Sequence, residues 1–310
     1  MTIENVRFHT ETPVVLLRKK LGNIEVPYFP YGVGADAFLL SSDRIGPDIL
    51  SMVTERKPDG YLVGVGVGGV LTFLNCFPSD TRPKGIISLD INPQVVIGGM
   101  FMAELLKKAS SVHEFIDGFF KIEENAYMEI SNKLARKDKR LKRAMKSFSR
   151  SLEKEGTLEY WIPRSPSSMY GFLSRDDYES VDEGQISKLI YDTIVSNFDL
   201  LKELALSGRF AVEYGDIADS RVTSSISDLP GFKSSRNIVY VSNVAEMSCR
   251  PRGREILEVL NRSLLFLSGS EKPSIFIDSI SSLDEYNTSD RVPVRVSDET
   301  PVYSNTMFDI

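Results

Sequence analysis

The chain has 310 residues, 42% hydrophobic and 26% charged, an ordinary globular composition that is long enough to bury a sizeable core. Its 37 basic and 43 acidic residues leave a net charge of −6, so bulk charge does not suggest non-specific nucleic-acid binding. Only two cysteines, Cys76 and Cys249, and two histidines, His9 and His113, exclude a disulfide scaffold, a zinc cluster and chemistry that needs several imidazoles; no metal is expected. Residues 1–7 hold no basic stretch before an apolar core, and no uninterrupted apolar window of about 20 residues occurs. The expectation is a cytoplasmic protein with no integral membrane segment.

In chain order, residues 1–56 read as an N-terminal cover segment. It holds a hairpin of Val14–Leu17 and Ile24–Tyr28 about Leu21-Gly22-Asn23, then Tyr31-Gly32-Val33-Gly34, and a helix from near Pro47. Short apolar runs bounded by turn residues then predict buried parallel strands at Tyr61–Val67, Gly85–Leu89, Arg209–Tyr214, Asn237–Val241 and Ser274–Ile277. Crossover helices are expected at Val67–Asn75, Pro93–Ala109, Glu183–Leu206 and Arg252–Leu267. Val292–Val296 and Pro301–Asn305 read as a terminal antiparallel pair. The expected fold class is α/β: a Rossmann-like, doubly wound, mostly parallel sheet built from 57–110 and 183–310. It carries an antiparallel C-terminal edge and a helical insertion or lid at 111–182. The insertion opens with a helical stretch to about Glu155, followed by the Pro- and Ser-rich Trp161–Ser168.

Most of these runs close on polar residues at the end where open α/β sheets place ligands. The first leads into Gly64-Val65-Gly66-Val67-Gly68-Gly69 and an apolar helix, glycines that permit close approach and positive φ beside helix N–H groups. Asp90 lies 22 residues beyond Gly68, at the end of the next strand. That is about the offset of roughly 20 expected for a ribose-binding acid. Together they suggest an adenosine-containing ligand. The spacing distinguishes poorly between a nicotinamide dinucleotide and S-adenosylmethionine, because Gly64, Gly66 and Gly69 also satisfy G-x-G-x-x-G.

Gly215-Asp216-Ile217 after the third strand resembles the acid and apolar neighbour that bracket adenine in class I S-adenosylmethionine-dependent methyltransferases. Ser242-Asn243-Val244 stands where that fold contacts the methionine moiety or the substrate. One departure is Leu62, in place of the acid usually found two positions before the first glycine. Leu89-Asp90-Ile91-Asn92-Pro93-Gln94, the following apolar helix and His113-Glu114-Phe115-Ile116-Asp117-Gly118-Phe119-Phe120 are similar to the betaine-lipid type of 3-amino-3-carboxypropyltransferases. So are the glycine-rich Val63–Asn75 and the pair Ser242-Asn243. In outline the resemblance covers residues 40–260.

The resemblance implies S-adenosyl-L-methionine as cosubstrate, with Gly64, Gly66 and Gly68 under the methionine and ribose. Asp90, with Ile91 and Asn92, would hold the ribose hydroxyls, Asp216 and Ile217 the adenine, and Ser242 and Asn243 the methionine end or substrate. The implied activity is transfer of the 3-amino-3-carboxypropyl group to a small-molecule acceptor, or its cyclisation. Methyl transfer is an alternative, and so is a dinucleotide-binding or non-catalytic Rossmann protein. A sulfonium is already an activated electrophile, so alignment can do most of the work and scarce histidine is no objection. Candidates for gripping the aminocarboxypropyl end or the acceptor are Tyr28, Tyr31, Tyr127, Tyr170, Asn243 and Glu246, although any single one of the 12 tyrosines also serves as a packing residue.

Residues 133–150 carry a dense basic run: Arg136, Lys137, Lys139, Arg140, Lys142, Arg143, Lys146 and Arg150. A solvated helix face accounts for it, and the lack of interleaved aromatics favours that. The other expectation is an anionic partner: a surface, a phosphorylated acceptor or nucleic acid. Phe115, Phe119 and Phe120 precede it at helical spacing and are expected to pack the insertion onto the sheet.

Overall fold

Apolar runs flanked by glycine and proline form a six-stranded sheet in the computed structural model, which describes residues 12–26, 45–155, 186–242, 256–279 and 294–303. The strands are β1 (Leu62–Val65), β2 (Ile86–Asp90), β3 (Phe210–Tyr214), β4 (Ile238–Ser242), β5 (Ile275–Ser279) and β6 (Val294–Ser297). Their spatial order is β3-β2-β1-β4-β5-β6, with β1 to β5 parallel and β6 antiparallel to β5. The antiparallel edge is thus present, but β6 pairs with β5. Pro301–Tyr303 is not a strand, and Ser304 and Asn305 lie outside the described residues.

Side chains alternate between two apolar layers, because successive residues of a strand point to opposite faces. Leu62, Ile86, Phe210, Val212, Ile238, Tyr240 and Ile275 join one core, and Val63, Ile87, Leu89, Ala211, Val239 and Phe276 join the other. Over the first layer lie α2 (Pro47–Glu55), α3 (Val67–Thr72), α4 (Pro93–Lys108), α5 (Val112–Phe120), α6 (Glu124–Ala135), α7 (Lys139–Glu155), α8 (Ile186–Ser196) and α9 (Phe198–Leu206). Over the second lie α1 (Pro13–Leu21), α10 (Ser220–Ser227) and α11 (Ile256–Leu267). Crossovers leaving β1 and β2 therefore cover one face and those leaving β3 and β4 the other, the doubly wound arrangement that right-handed connections produce when the order reverses at β1.

The expected N-terminal hairpin is a helix instead. Thr12 accepts the Val15 N–H as N-cap, Pro13 sits at the first helical position, and Leu17 and Leu21 are buried one turn apart. Tyr28 lies outside the described residues. The helix near Pro47 is present as α2. It ends where Lys57 adopts φ 50°, the left-handed position normally given to glycine. Lys57→Gly relieves about 1–2 kcal/mol of left-handed strain and adds about 0.4–1 kcal/mol of unfolded-chain entropy. The expected result is a stabilisation of up to about 1.6 kcal/mol, read as a higher urea midpoint.

Three further differences have local causes. The crossover expected as one helix over Glu183–Leu206 breaks at Asn197, whose side-chain amide donates to the Thr193 carbonyl and to Asn75 Oδ1. Residues 183–185 lie outside the described residues. The insertion's helical stretch is three helices, α5 to α7. Phe115 and Phe119 stack at 5.6 Å, and Phe119 stacks on Phe101 of α4 at the same spacing, so they seat the insertion on the helical layer above the sheet. Finally α10, with the sequence SRVTSSIS, carries little helix propensity. It forms because Asp219 caps it and Val222 and Ile226 are buried beneath it.

A charge network ties α1 and the insertion to the sheet. Arg18 donates from Nε and Nη2 to Glu213 Oε1, at 2.9 and 2.6 Å. Arg140 at the start of α7 pairs with Asp138 and donates to the Leu21 carbonyl. Among the described residues no helix is long and apolar enough to cross a membrane.

Candidate functional site

The sheet's order reverses between β1 and β4, and there the strands part. Their pairing stops at Gly64 and Tyr240, although β1 runs on to Val65 and β4 to Ser242. Opposite β5, β4 carries an irregularity between Tyr240 and Ser242, an extra residue of the kind that re-aims a strand end beside active sites. Beyond β1, Gly66 takes φ 72° and caps α3 without any side chain, while its N–H donates to the Leu89 carbonyl of β2 at 3.0 Å. A left-handed turn leaves glycine as the residue of choice here.

The other glycines of the run divide by role. A Cβ on Gly69 would stand 2.2 Å from the Tyr240 ring, and one on Gly64 would stand 2.3 Å from the Tyr240 carbonyl oxygen. Both positions let β1 and α3 close on Tyr240 of β4, a buried residue that the sequence reading did not single out. Gly64 thus has a packing reason independent of any ligand, and Gly68 is buried in the first turn of α3. Gly69→Ala is expected to cost about 1–3 kcal/mol, the usual penalty for overpacking, measurable by urea unfolding.

Asp90 and Asp216 are brought side by side. The Gly215 N–H donates to the Asp90 carbonyl at 3.1 Å, which extends the β2–β3 ladder to the residue before Asp216. Each carboxylate closes the same small turn: Asp90 Oδ1 accepts the Asn92 N–H at 2.7 Å, and Asp216 Oδ1 accepts the Ala218 N–H at 2.9 Å. Neither is a helix cap. Asn92 caps α4, accepting the Gln94 N–H at 2.9 Å, and Asp219 caps α10.

The Asp90 carboxyl keeps some solvent access yet is enclosed by protein on most sides. Burial pushes it up to about 7, against the pull of the Asn92 and Ile91 N–H groups, and the neighbouring Asp216 raises it further. Asp278, the acid at the end of β5, contrasts with it. Arg295 donates to Asp278 at 2.5 Å and the Tyr303 hydroxyl lies 3.4 Å away. Among the described residues Asp90 has no such cation. A strand-end carboxyl raised by burial without a counter-charge is a candidate functional group.

Several expectations fall elsewhere. Ile217 is 2% exposed and packs into the second core layer with Val222 and Leu257, so its side chain has no surface for an adenine. Tyr127 is 1% exposed, edge-on to Phe101, and burial drives its hydroxyl well above the usual range; it is a core residue of the insertion. Glu114 is spent on a helix start, accepting from the Ser110 N–H at 2.7 Å. Cys76 is buried and its thiol is pushed up to about 11 by burial, far from nucleophilic reactivity. Ile91 is half-buried beside Asp90. Tyr28, Tyr31, Tyr170, Asn243 and Glu246 lie outside the described residues, as does the side chain of Ser242. Among the described residues no group of three or more His, Cys, Asp or Glu could hold a metal ion.

No protein family and no curated protein matches this chain.

Proposed function

We propose that the chain binds S-adenosylmethionine over the C-terminal ends of β1, β2 and β3 and transfers its 3-amino-3-carboxypropyl group to a small-molecule acceptor. The observation that carries this reading is the uncompensated Asp90, beside Asp216 and one strand from the left-handed Gly66 turn. The strand order agrees with a Rossmann-like sheet, in which the crevice at the reversal point takes an adenosine. In this reading Asp90 accepts from the ribose hydroxyls and the main chain of Gly66 and Gly68 approaches the methionine end, while Asp216, 5% exposed, holds the turn beneath the adenine by accepting the Ala218 N–H.

The chemistry needs little from side chains. As the acceptor's lone pair forms a bond to the γ-carbon, the C–S⁺ bond breaks and its electron pair neutralises the sulfur, leaving methylthioadenosine. The departing thioether needs no protonation. What the protein supplies is alignment of the acceptor opposite the breaking bond. The resemblance of the Asp90–Gln94 segment and Ser242-Asn243 to 3-amino-3-carboxypropyltransferases supports attack at the γ-carbon over the methyl group.

Calorimetry tests the ligand, with S-adenosylmethionine and NAD titrated in parallel. Binding of NAD alone overturns the proposal. Mass spectrometry of the spent ligand then tests the chemistry, since methylthioadenosine reports γ-carbon attack and S-adenosylhomocysteine reports methyl transfer. One observation favours a dinucleotide instead: Gly69 against Tyr240 fills the helix–strand packing role of the third glycine in G-x-G-x-x-G.

A further inference from the structure

We propose that the exposed ridge of α7 is a docking face for double-stranded nucleic acid, held through its phosphates. Lys139, Lys142, Arg143 and Lys146 recur at i, i+3, i+4 and i+7, so they line one face of the helix over about 10 Å. All four are exposed, as are Lys133 and Arg136 at the end of α6, and none of the six has an ion-pair partner among the described residues. The chain does not leave its cations unpaired here by default. Arg140, in the same run, is turned inward onto Asp138 and the Leu21 carbonyl, and Lys137 reaches Glu104. Lys139, Lys142, Arg143 and Lys146 are thus sorted onto the outer surface while Leu141 and Ala144 bury the opposite one.

The character of the ridge selects the partner. A membrane-surface helix presents large apolar side chains to the acyl boundary, but Leu141 and Ala144 of α7 are buried, and no exposed large hydrophobic residue lies on the described part of α6 or α7. Single strands are gripped by exposed aromatic platforms, and none is exposed among the described side chains of these helices. What remains is a convex row of point charges, complementary to the phosphate-lined groove of a duplex. Because the whole chain carries −6, attraction is confined to the contact itself, so binding is weak and steeply salt-dependent. This docking is independent of any ligand in the sheet's crevice.

Fluorescence anisotropy with labelled 24-base-pair RNA and DNA duplexes, from about 50 to 200 mM salt, tests it. Lys142→Ala/Arg143→Ala is expected to weaken binding about 100-fold at the lowest salt and to flatten the log–log salt slope by nearly 2, as two lost phosphate contacts require. The charge-matched pair Lys57→Ala/Lys108→Ala, exposed but off the ridge, is expected to change affinity less than about 3-fold. Circular dichroism checks that each variant is folded. Three results overturn the proposal: no duplex binding by the unaltered protein at roughly 50 mM salt and tens of micromolar protein, equal losses in the two pairs, or stronger adsorption to phosphatidylserine vesicles than to duplex.

Discussion

Asp90→Ala is expected to weaken S-adenosylmethionine binding by about 10- to 100-fold, because hydrogen bonds to an ionised group contribute roughly 1.5–3 kcal/mol. Calorimetry at pH 8 reads the loss directly. The pH dependence is more diagnostic. With the carboxyl near 7 in the folded protein, the unaltered chain is expected to bind the ligand more tightly at pH 8 than at pH 6, since the ribose hydroxyls select the carboxylate; Asp90→Asn removes that rise. The same group acts on stability with the opposite sense. A carboxyl whose folded value is raised stabilises most below its unfolded value near 3.9, and that stability is lost as pH climbs through about 7. Asp90→Asn is therefore expected to be more stable than the parent at pH 8, by about 2 kcal/mol once partial solvent access is discounted. One substitution that strengthens the fold and weakens the ligand marks a residue retained for binding. An Asp90→Asn protein that is less stable at pH 8, or that binds S-adenosylmethionine as well as the parent, defeats the assignment.

The sheet was legible because buried parallel strands are written as contiguous apolar runs with turn residues at both ends, and each of the five expected runs overlaps a strand, β2, β4 and β5 running one or two residues further. Legibility failed where a signal was shared between structures. Val14–Leu17 alternates poorly but is β-branched and apolar, so it resembles a strand until Thr12-Pro13 is recognised as a helix start. For α10 the reverse held: SRVTSSIS, half of it serine, carries little helix propensity, and the Asp219 cap together with tertiary burial of Val222 and Ile226 explains the helix. Within the site, Asp90 and Asp216 could be placed from strand ends alone. Ile217 could not, because a residue one step past a strand end can face either the crevice or the core, and here Val222 and Leu257 take it inward. The division of the glycines depended on Tyr240, more than 170 residues away in sequence from Gly69 but within van der Waals reach in space. No local pattern records such a contact.

Glu213 shows how a single strand residue fixes the second layer, and removing its partner is expected to have the largest effect on stability. It occupies a core-facing position of β3 between Val212 and Tyr214, with its side chain 3% exposed. Burial raises its carboxyl, and Arg18 pulls it back down. Arg18→Ala leaves a buried carboxylate without that guanidinium, a loss of about 3–5 kcal/mol in fully enclosed pairs. Because Arg18 itself is half-exposed and water can follow, about 2–4 kcal/mol is expected at pH 8. The cost must shrink as the pH falls, because burial raises the Glu213 carboxyl and its protonation removes the stranded charge. Glu213→Gln is expected to cost far less, since Arg18 can turn to solvent, and Arg18→Met/Glu213→Leu should recover most of the loss. Urea unfolding at pH 5 and pH 8 separates these outcomes. An Arg18→Ala penalty that is the same at both pH values would mean that the pair holds α1 by packing alone, and that the charge on Glu213 contributes nothing to the attachment of the N-terminal helix.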